Sequence, residues 1–231
     1  MKIRLPIHTW HWFAGFIQGC GLVVLLGLPA ACGAQIRHAP QSTSAGQDTW
    51  DVAAWIRATA NNHGQPFAII DKKAALLHVF DAAGNPRGSS PVLLGLAVGD
   101  DSVPGIGERK MSDIRPAERT TPAGRFVSEP GRNLQGEDIV WIDYDAAISM
   151  HRVRAANKAD RRLERLATPT PTDNRISYGC VNVPAAFYDA QIKPVFGVKP
   201  AVVYVLPETR PASAVFGISG IASAPASAKT P

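Results

Sequence analysis

Cysteine is scarce in this 231-residue chain, which holds three. Cys20 and Cys32 fall within the first 34 positions, so Cys180 stands alone in everything that follows. That excludes a disulfide-stapled scaffold and a cysteine-ligated structural zinc site. Acidic residues are missing before Asp48. No run reaches the ~20 apolar residues of a bilayer span. The longest, Phe13 to Leu28, is about 16 residues and is interrupted by Gln18 and glycines. The net charge of +5 is too dilute for a nucleic-acid face, and no nucleic-acid module is recognisable.

Lys2 and Arg4 ahead of that run, with no acid nearby, make the pattern of an export signal, and residues 1–34 are expected to serve as one. The Leu28-Pro29-Ala30-Ala31-Cys32 stretch is similar to a lipoprotein signal, which would leave lipid on Cys32; cleavage elsewhere is the competing outcome. This segment, or a lipidated Cys32, would supply any membrane association. Without Lys2 and Arg4 the chain keeps 22 Lys+Arg (24 less 2) against 19 Asp+Glu, a net +3 that suits an anionic, periplasmic envelope.

What remains is ordinary globular material, 45% hydrophobic and 19% charged, enough for one core. Residues 35–47 are small and polar and read as a linker, 48–207 as the folded domain, and the Ala/Ser/Pro-rich 208–231 as a loosely ordered tail. Asp48 offers a helix N-cap ahead of Trp50, Ala54, Trp55 and Ala58 at helical spacing, with a stop at 62–64. Strands are expected at 67–70 and 76–80, joined as a hairpin, then at 91–98, 124–128, 139–142, 146–151 and 201–206. A helix is expected over 155–167, with Ala156, Ala159, Leu163 and Leu166 on one face, and another after Pro184. The fold class expected is mainly β, a β-rich sandwich or mixed sheet with a few short helices.

The chemistry concentrates in Ser177-Tyr178-Gly179-Cys180-Val181-Asn182. A glycine before a thiol lets the backbone turn sharply and aims neighbouring amide N–H groups at an oxyanion beside the sulfur. A free thiol is only a few per cent ionised at neutral pH, so it needs a base or an electropositive setting. His151, at the end of the apolar stretch 146–150, is the candidate base.

A strand-borne His followed by Ser-x-Gly-Cys-hydrophobic-Asn resembles the signature of L,D-transpeptidases, the YkuD-type catalytic domain. Thr121-Pro122-Ala123-Gly124-Arg125-Phe126 is similar to a segment these enzymes carry upstream of the histidine. The likeness runs from about Phe67 to Leu206. It implies that Cys180 attacks a tetrapeptide stem of peptidoglycan, with His151 as base, the Arg152 backbone carbonyl orienting the imidazole, and the N–H groups of Tyr178, Gly179 and Cys180 as the oxyanion hole. D-Alanine would leave and an amine would take the acyl group; water as acceptor would make an L,D-carboxypeptidase, and a lipoprotein amine an attachment enzyme. It further implies a role in cell-wall synthesis and cell shape, inhibition by carbapenems, and no cofactor. A non-catalytic wall-binding protein with the same fold is the competing class.

The chain departs from the family pattern at Tyr178, where a second His is common, at Arg152, where a small residue is common, and in the 25 residues from 152 to 176. That stretch carries Arg152, Arg154, Lys158, Arg161, Arg162, Arg165 and Arg175 against Asp160, Glu164 and Asp173, a local +4. Arg161, Arg162 and Arg165 are candidates to meet carboxylates of the stem, against the plainer reading of a solvated helix. Ser177 and Asn182 either brace the loop or touch substrate, with bracing favoured. Asp100, Asp101 and Asp113 read as a solvated loop rather than a metal site, and no metal is expected. Gly105-Ile106-Gly107 lacks the setting of a nucleotide loop. Trp141 and Tyr144 either line a cleft or sit in the core, with core favoured, and His63 and His78 read as structural.

Overall fold

A computed structural model describes residues 44–218, all within one compact unit. The export signal, Cys32, most of the linker and the end of the tail lie outside the described residues.

Ten strands form, at Phe67–Asp71 (β1), Leu76–Phe80 (β2), Pro86–Pro91 (β3), Leu94–Gly95 (β4), Gly124–Arg132 (β5), Asp138–Asp143 (β6), Ile148–Arg152 (β7), Arg175–Ser177 (β8), Val181–Val183 (β9) and Ala201–Val205 (β10). Eight make one mixed sheet in the order β3-β2-β1-β10-β5-β6-β7-β9, while β4 and β8 pair separately. Within the large sheet β1–β10 and β7–β9 are parallel and the other pairs antiparallel. A single bridge between Leu93 and Asn182 ties the small pair to the sheet's end.

The neighbouring strands β1 and β10 are buried throughout, which is why 67–70 and 201–206 read as unbroken apolar runs. Alternation still sorts them. Ala68, Ile70, Val203 and Val205 join Leu77, Met150, Val181, Tyr188, Ile192 and Phe196 in one core. Phe67, Ile69, Val202 and Tyr204 face the other way, against Val52 and Ile56 of the helix Ser44–Thr59 (α1). A broken helix after Pro184, made of Ala185–Phe187 (α2), a π-helical turn at Tyr188–Ile192 and Lys193–Phe196 (α3), covers the first face. A short helix at Ala212–Phe216 (α4) joins α1 on the second.

Several expectations need correction. Helix α1 starts at Ser44, so Asp48 lies inside it and pairs with Lys73 at 2.9 Å rather than capping it. Its buried face is Thr49, Val52, Ala53 and Ile56, while Trp50 is 48% exposed and packs edge-on against His78 and Phe80 at the rim. Small and branched side chains let the helix approach the sheet more closely than tryptophan would. The run 155–167 is not one helix: a 3-10 turn at Lys158–Asp160 ends at Arg161, whose φ of 51° breaks the path, and only Arg162–Ala167 is α-helical. Leu163 is 58% exposed, and of the four residues assigned to its apolar face only Leu166 is buried.

Residues 208–218 belong to the fold and not to a loose tail. Ala212 and Ile218 are buried, and Phe216 lies tilted against Trp55 and edge-on to Tyr204. Just ahead of α4, the chain closes over a buried ionic cluster. Lys72, fully buried, donates to Asp100 (2.8 Å) and to the carbonyls of Gly99 (2.6 Å) and Thr121 (2.9 Å). Asp100 also accepts from the backbone N–H groups of Glu208, Thr209 and Arg210. Glu208 pairs with Arg175 at the start of β8. Asp100 is therefore buried, not solvated; Asp101, 79% exposed, fits the solvated reading. Trp141 is half-buried and Tyr144 is 75% exposed, so neither is core.

Candidate active site

The turn between β8 and β9 carries Tyr178, Gly179 and Cys180. Gly179 sits at φ 128°, and a Cβ there would lie 2.6 Å from the Thr120 carbonyl oxygen and 2.5 Å from Ile148. Both the conformation and the space demand glycine. The turn is clamped from several sides. Ser177 Oγ donates to the Cys180 carbonyl (2.7 Å) and accepts from the Gly179 N–H (3.0 Å). Asn182 Nδ2 donates to the same Cys180 carbonyl (3.1 Å). Ser177 and Asn182 thus brace the loop, whatever else they touch.

The parallel pairing of β7 with β9 sets His151 beside Asn182 and Met150 beside Val181. Met150 points into the core, so Ser149 and His151 share the opposite face, on the thiol's side. His151 Nδ1 lies 2.8 Å from the Arg152 carbonyl oxygen. A carbonyl only accepts, so Nδ1 carries the proton and Nε2 keeps the lone pair a base needs. Burial lowers the His151 pKa, the Arg152 carbonyl opposes it, and the positive charges of Arg154 and Arg162 lower it further. The neutral imidazole is the favoured form.

His151 and Cys180 line one pocket of about 300 Å³ with Met111, Arg154, Arg162, Tyr178 and Asn182. The thiol is partly exposed and sits 3.6 Å from both Ser149 Oγ and the Ala147 carbonyl. Among the described residues those are its polar contacts, and the imidazole is not one of them. Without substrate, catalytic contacts are often long or poorly aligned and tighten only in the substrate complex. Ser149 was missed in the sequence, although it stands two residues before His151 and so on the same strand face.

The oxyanion expectation is changed in one respect. The Gly179 N–H is spent on Ser177 Oγ, while the N–H groups of Tyr178 and Cys180 have no partner among the described residues. The Tyr178 ring lies under the Arg119 guanidinium at 3.9 Å. Arg152 turns its side chain away from His151, over Tyr188 and between Asp138 and Asp189, so its bulk stays out of the cleft.

The three candidate carboxylate contacts separate. Arg161 pairs with Glu164 on the outer surface, and Arg165 is held by the carbonyls of Asp160 (2.7 Å) and Asp173 (2.9 Å). Only Arg162 enters the pocket, bonded to Asp160 (2.8 Å) and to Asn182 Oδ1 (2.7 Å). Among the described residues, no helix is long and apolar enough to cross a membrane, and no cluster of His, Cys, Asp or Glu is set to hold a metal.

Comparison with known proteins gives neighbours in outline. No protein-family model matches the chain, and no curated protein matches it. Among solved structures, the helical cell shape determining protein Pgp2 from Campylobacter jejuni is 16% identical with a TM-score of 0.40, over 64% of this chain and 49% of that one. The LD transpeptidase LdtMt1, in complex with imipenem, is 15% identical with a TM-score of 0.34, over 61% of this chain and 58% of that one. This chain thus spans about half the length of these neighbours. At TM-scores under 0.5 neither likeness bears on what the site does, which rests on the chain's own residues.

Proposed function

We propose that this protein is a cysteine-dependent acyltransferase of peptidoglycan stem peptides, an L,D-transpeptidase working in the cell envelope. The observation that carries the reading is that His151, on β7, and Cys180, in the turn that leads into the parallel neighbour β9, line one pocket, with that turn clamped by Ser177, Asn182 and Thr121.

In this reading His151 Nε2 takes the thiol proton as sulfur attacks the carbonyl that precedes the terminal D-alanine. The N–H groups of Tyr178 and Cys180 face the oxygen as it gains charge. On collapse the C–N bond breaks, His151 returns the proton to the departing amine, and a thioester remains on Cys180. An amine acceptor then loses its proton to Nε2, attacks the thioester and restores the thiol.

The test is intact mass of the purified protein after exposure to a tetrapeptide muropeptide or to a carbapenem. The expected result is an acyl adduct on Cys180, with the whole drug mass in the second case and none in Cys180→Ser. An unmodified wild-type mass under both conditions would leave a wall-binding protein as the better account.

A further inference from the structure

The stretch between β7 and β8 is strongly basic, yet most of that charge is already committed. Arg152 is spent on Asp138 and Asp189, Arg154 on Glu137, Arg161 on Glu164 and Arg175 on Glu208, while Arg165 is held by two backbone carbonyls. Arg162 differs in place and in valence. Its side chain is only 19% exposed, held at Nε by Asp160 and at Nη1 by Asn182, the motif residue that also grips the Cys180 carbonyl. Nη2 donates to nothing among the described residues, and the side chain lines the pocket shared by Cys180 and His151. A guanidinium fixed by two partners has already lost its rotamer freedom, so a third bond to a planar anion costs little more ordering. Arg154 lines the same pocket and adds positive charge, although it is 45% exposed and paired with Glu137.

We propose that Arg162 is a specificity-determining residue that receives a carboxylate of the acyl-donor peptide on the Nη2 edge of its guanidinium, beside the nucleophile. The inference rests on the peptide-acyltransfer reading and narrows its substrate to stems that carry a free carboxylate near the scissile bond. Asn182 is the link: through it the wall of the pocket and the turn of the nucleophile are bonded to one another, so a carboxylate seated on Arg162 is in register with the thiol. The plain alternative is that Arg162 only latches the basic stretch onto the sheet.

The test separates these by binding, apart from turnover. Cys180→Ser protein is titrated calorimetrically with a free tetrapeptide stem and with the same peptide carrying its carboxylates as amides. The acid is expected to bind roughly tenfold tighter, the scale of one charge-assisted contact. Adding Arg162→Ala should erase that preference while leaving affinity for the amide within about twofold, and Arg162→Lys should keep part of it. A preference that survives Arg162→Ala, no preference at the outset, or an equal loss of affinity for both peptides would overturn the proposal. Adduct formation on the wild-type thiol is read separately, so failure of the acyltransfer reading is told apart from failure of the Arg162 assignment.

Discussion

The Thr121 hydroxyl joins two distant backbones: it donates to the Gly179 carbonyl at 2.8 Å and accepts from the Gly95 N–H at 2.9 Å. Thr121 is fully buried, so neither group has water to fall back on if the hydroxyl goes. Thr121→Val keeps shape and removes both bonds, and each buried group left unpaired costs about 1–3 kcal/mol. The expected outcome is a lower midpoint in thermal unfolding together with slower acylation of Cys180, with Thr121→Ser close to wild type in both. An unchanged midpoint in Thr121→Val would show that the turn stands without this clamp.

Gly179→Ala strikes the same turn from inside. The added methyl meets the Thr120 carbonyl and Ile148 while the backbone is held at a φ that side chains rarely adopt. Loss of acylation is expected even if the protein still folds, since moving Gly179 also moves the N–H groups on either side. Far-UV circular dichroism beside adduct mass separates the two effects.

His151→Gln is expected to slow acylation by roughly two to four orders of magnitude, the scale of a lost general base. The pH dependence has a definite sign. Burial and two nearby arginines lower the His151 pKa, so the acid limb of kcat/KM should lie below the ~6.5 of a free imidazole. The same shift bears on stability. In the window below ~6.5 the unfolded chain binds a proton that the folded one resists, so stability falls as pH drops through that window. Thermal midpoints at pH 7 and pH 5.5 should draw closer together in His151→Gln than in wild type.

A fourth expectation concerns the ion cluster under the site. Burial alone would raise the Asp100 pKa, but hydrogen bonds from Lys72, Thr209 and the backbone of 208–209 outweigh it and hold the carboxyl well below its usual range. This contribution is present above the unfolded value near 3.9 and is lost as pH falls through the depressed one. Lys72→Met leaves Asp100 buried without its main partner and should cost about 3–5 kcal/mol, measured by denaturant unfolding. A loss below about 1 kcal/mol would show that the backbone donors suffice.

The sequence made the candidate pair Cys180 and His151, and the strands β1 and β10, readable because each depends on local chemistry: a glycine before a thiol, or an unbroken apolar run. It hid what depends on distant partners. Asp100 looks like any loop aspartate until Lys72 arrives from 28 residues away. Strands β8 and β9 are three residues each and owe their existence to the strands they pair with, so no pattern announces them. Leu163 and Leu166 suggested a seated amphipathic helix, but Arg161 takes a left-handed conformation and turns Leu163 outward. Of the three arginines weighed as carboxylate contacts, spacing gave no reason to prefer Arg162, because what singles it out is Asn182 across the pocket.

The parallel pairing of β7 and β9 has a consequence for how such a protein can change over time. Adjacent parallel strands cannot be joined by a tight turn, so the chain must leave the sheet after Arg152 and come back to it before Val181. That obligatory excursion supplies Arg154, Ala156, Asn157, Asp160 and Arg162 to one wall of the pocket, while His151 is fixed by the ladder and Cys180 by the clamped turn that re-enters it at Val181. Residues can be added to, removed from or recharged in the excursion without shifting the register of the strands it connects. On the proposed acyltransfer reading, the wall that would select a peptide and the pair that would react with it thus sit on separately adjustable stretches of one chain.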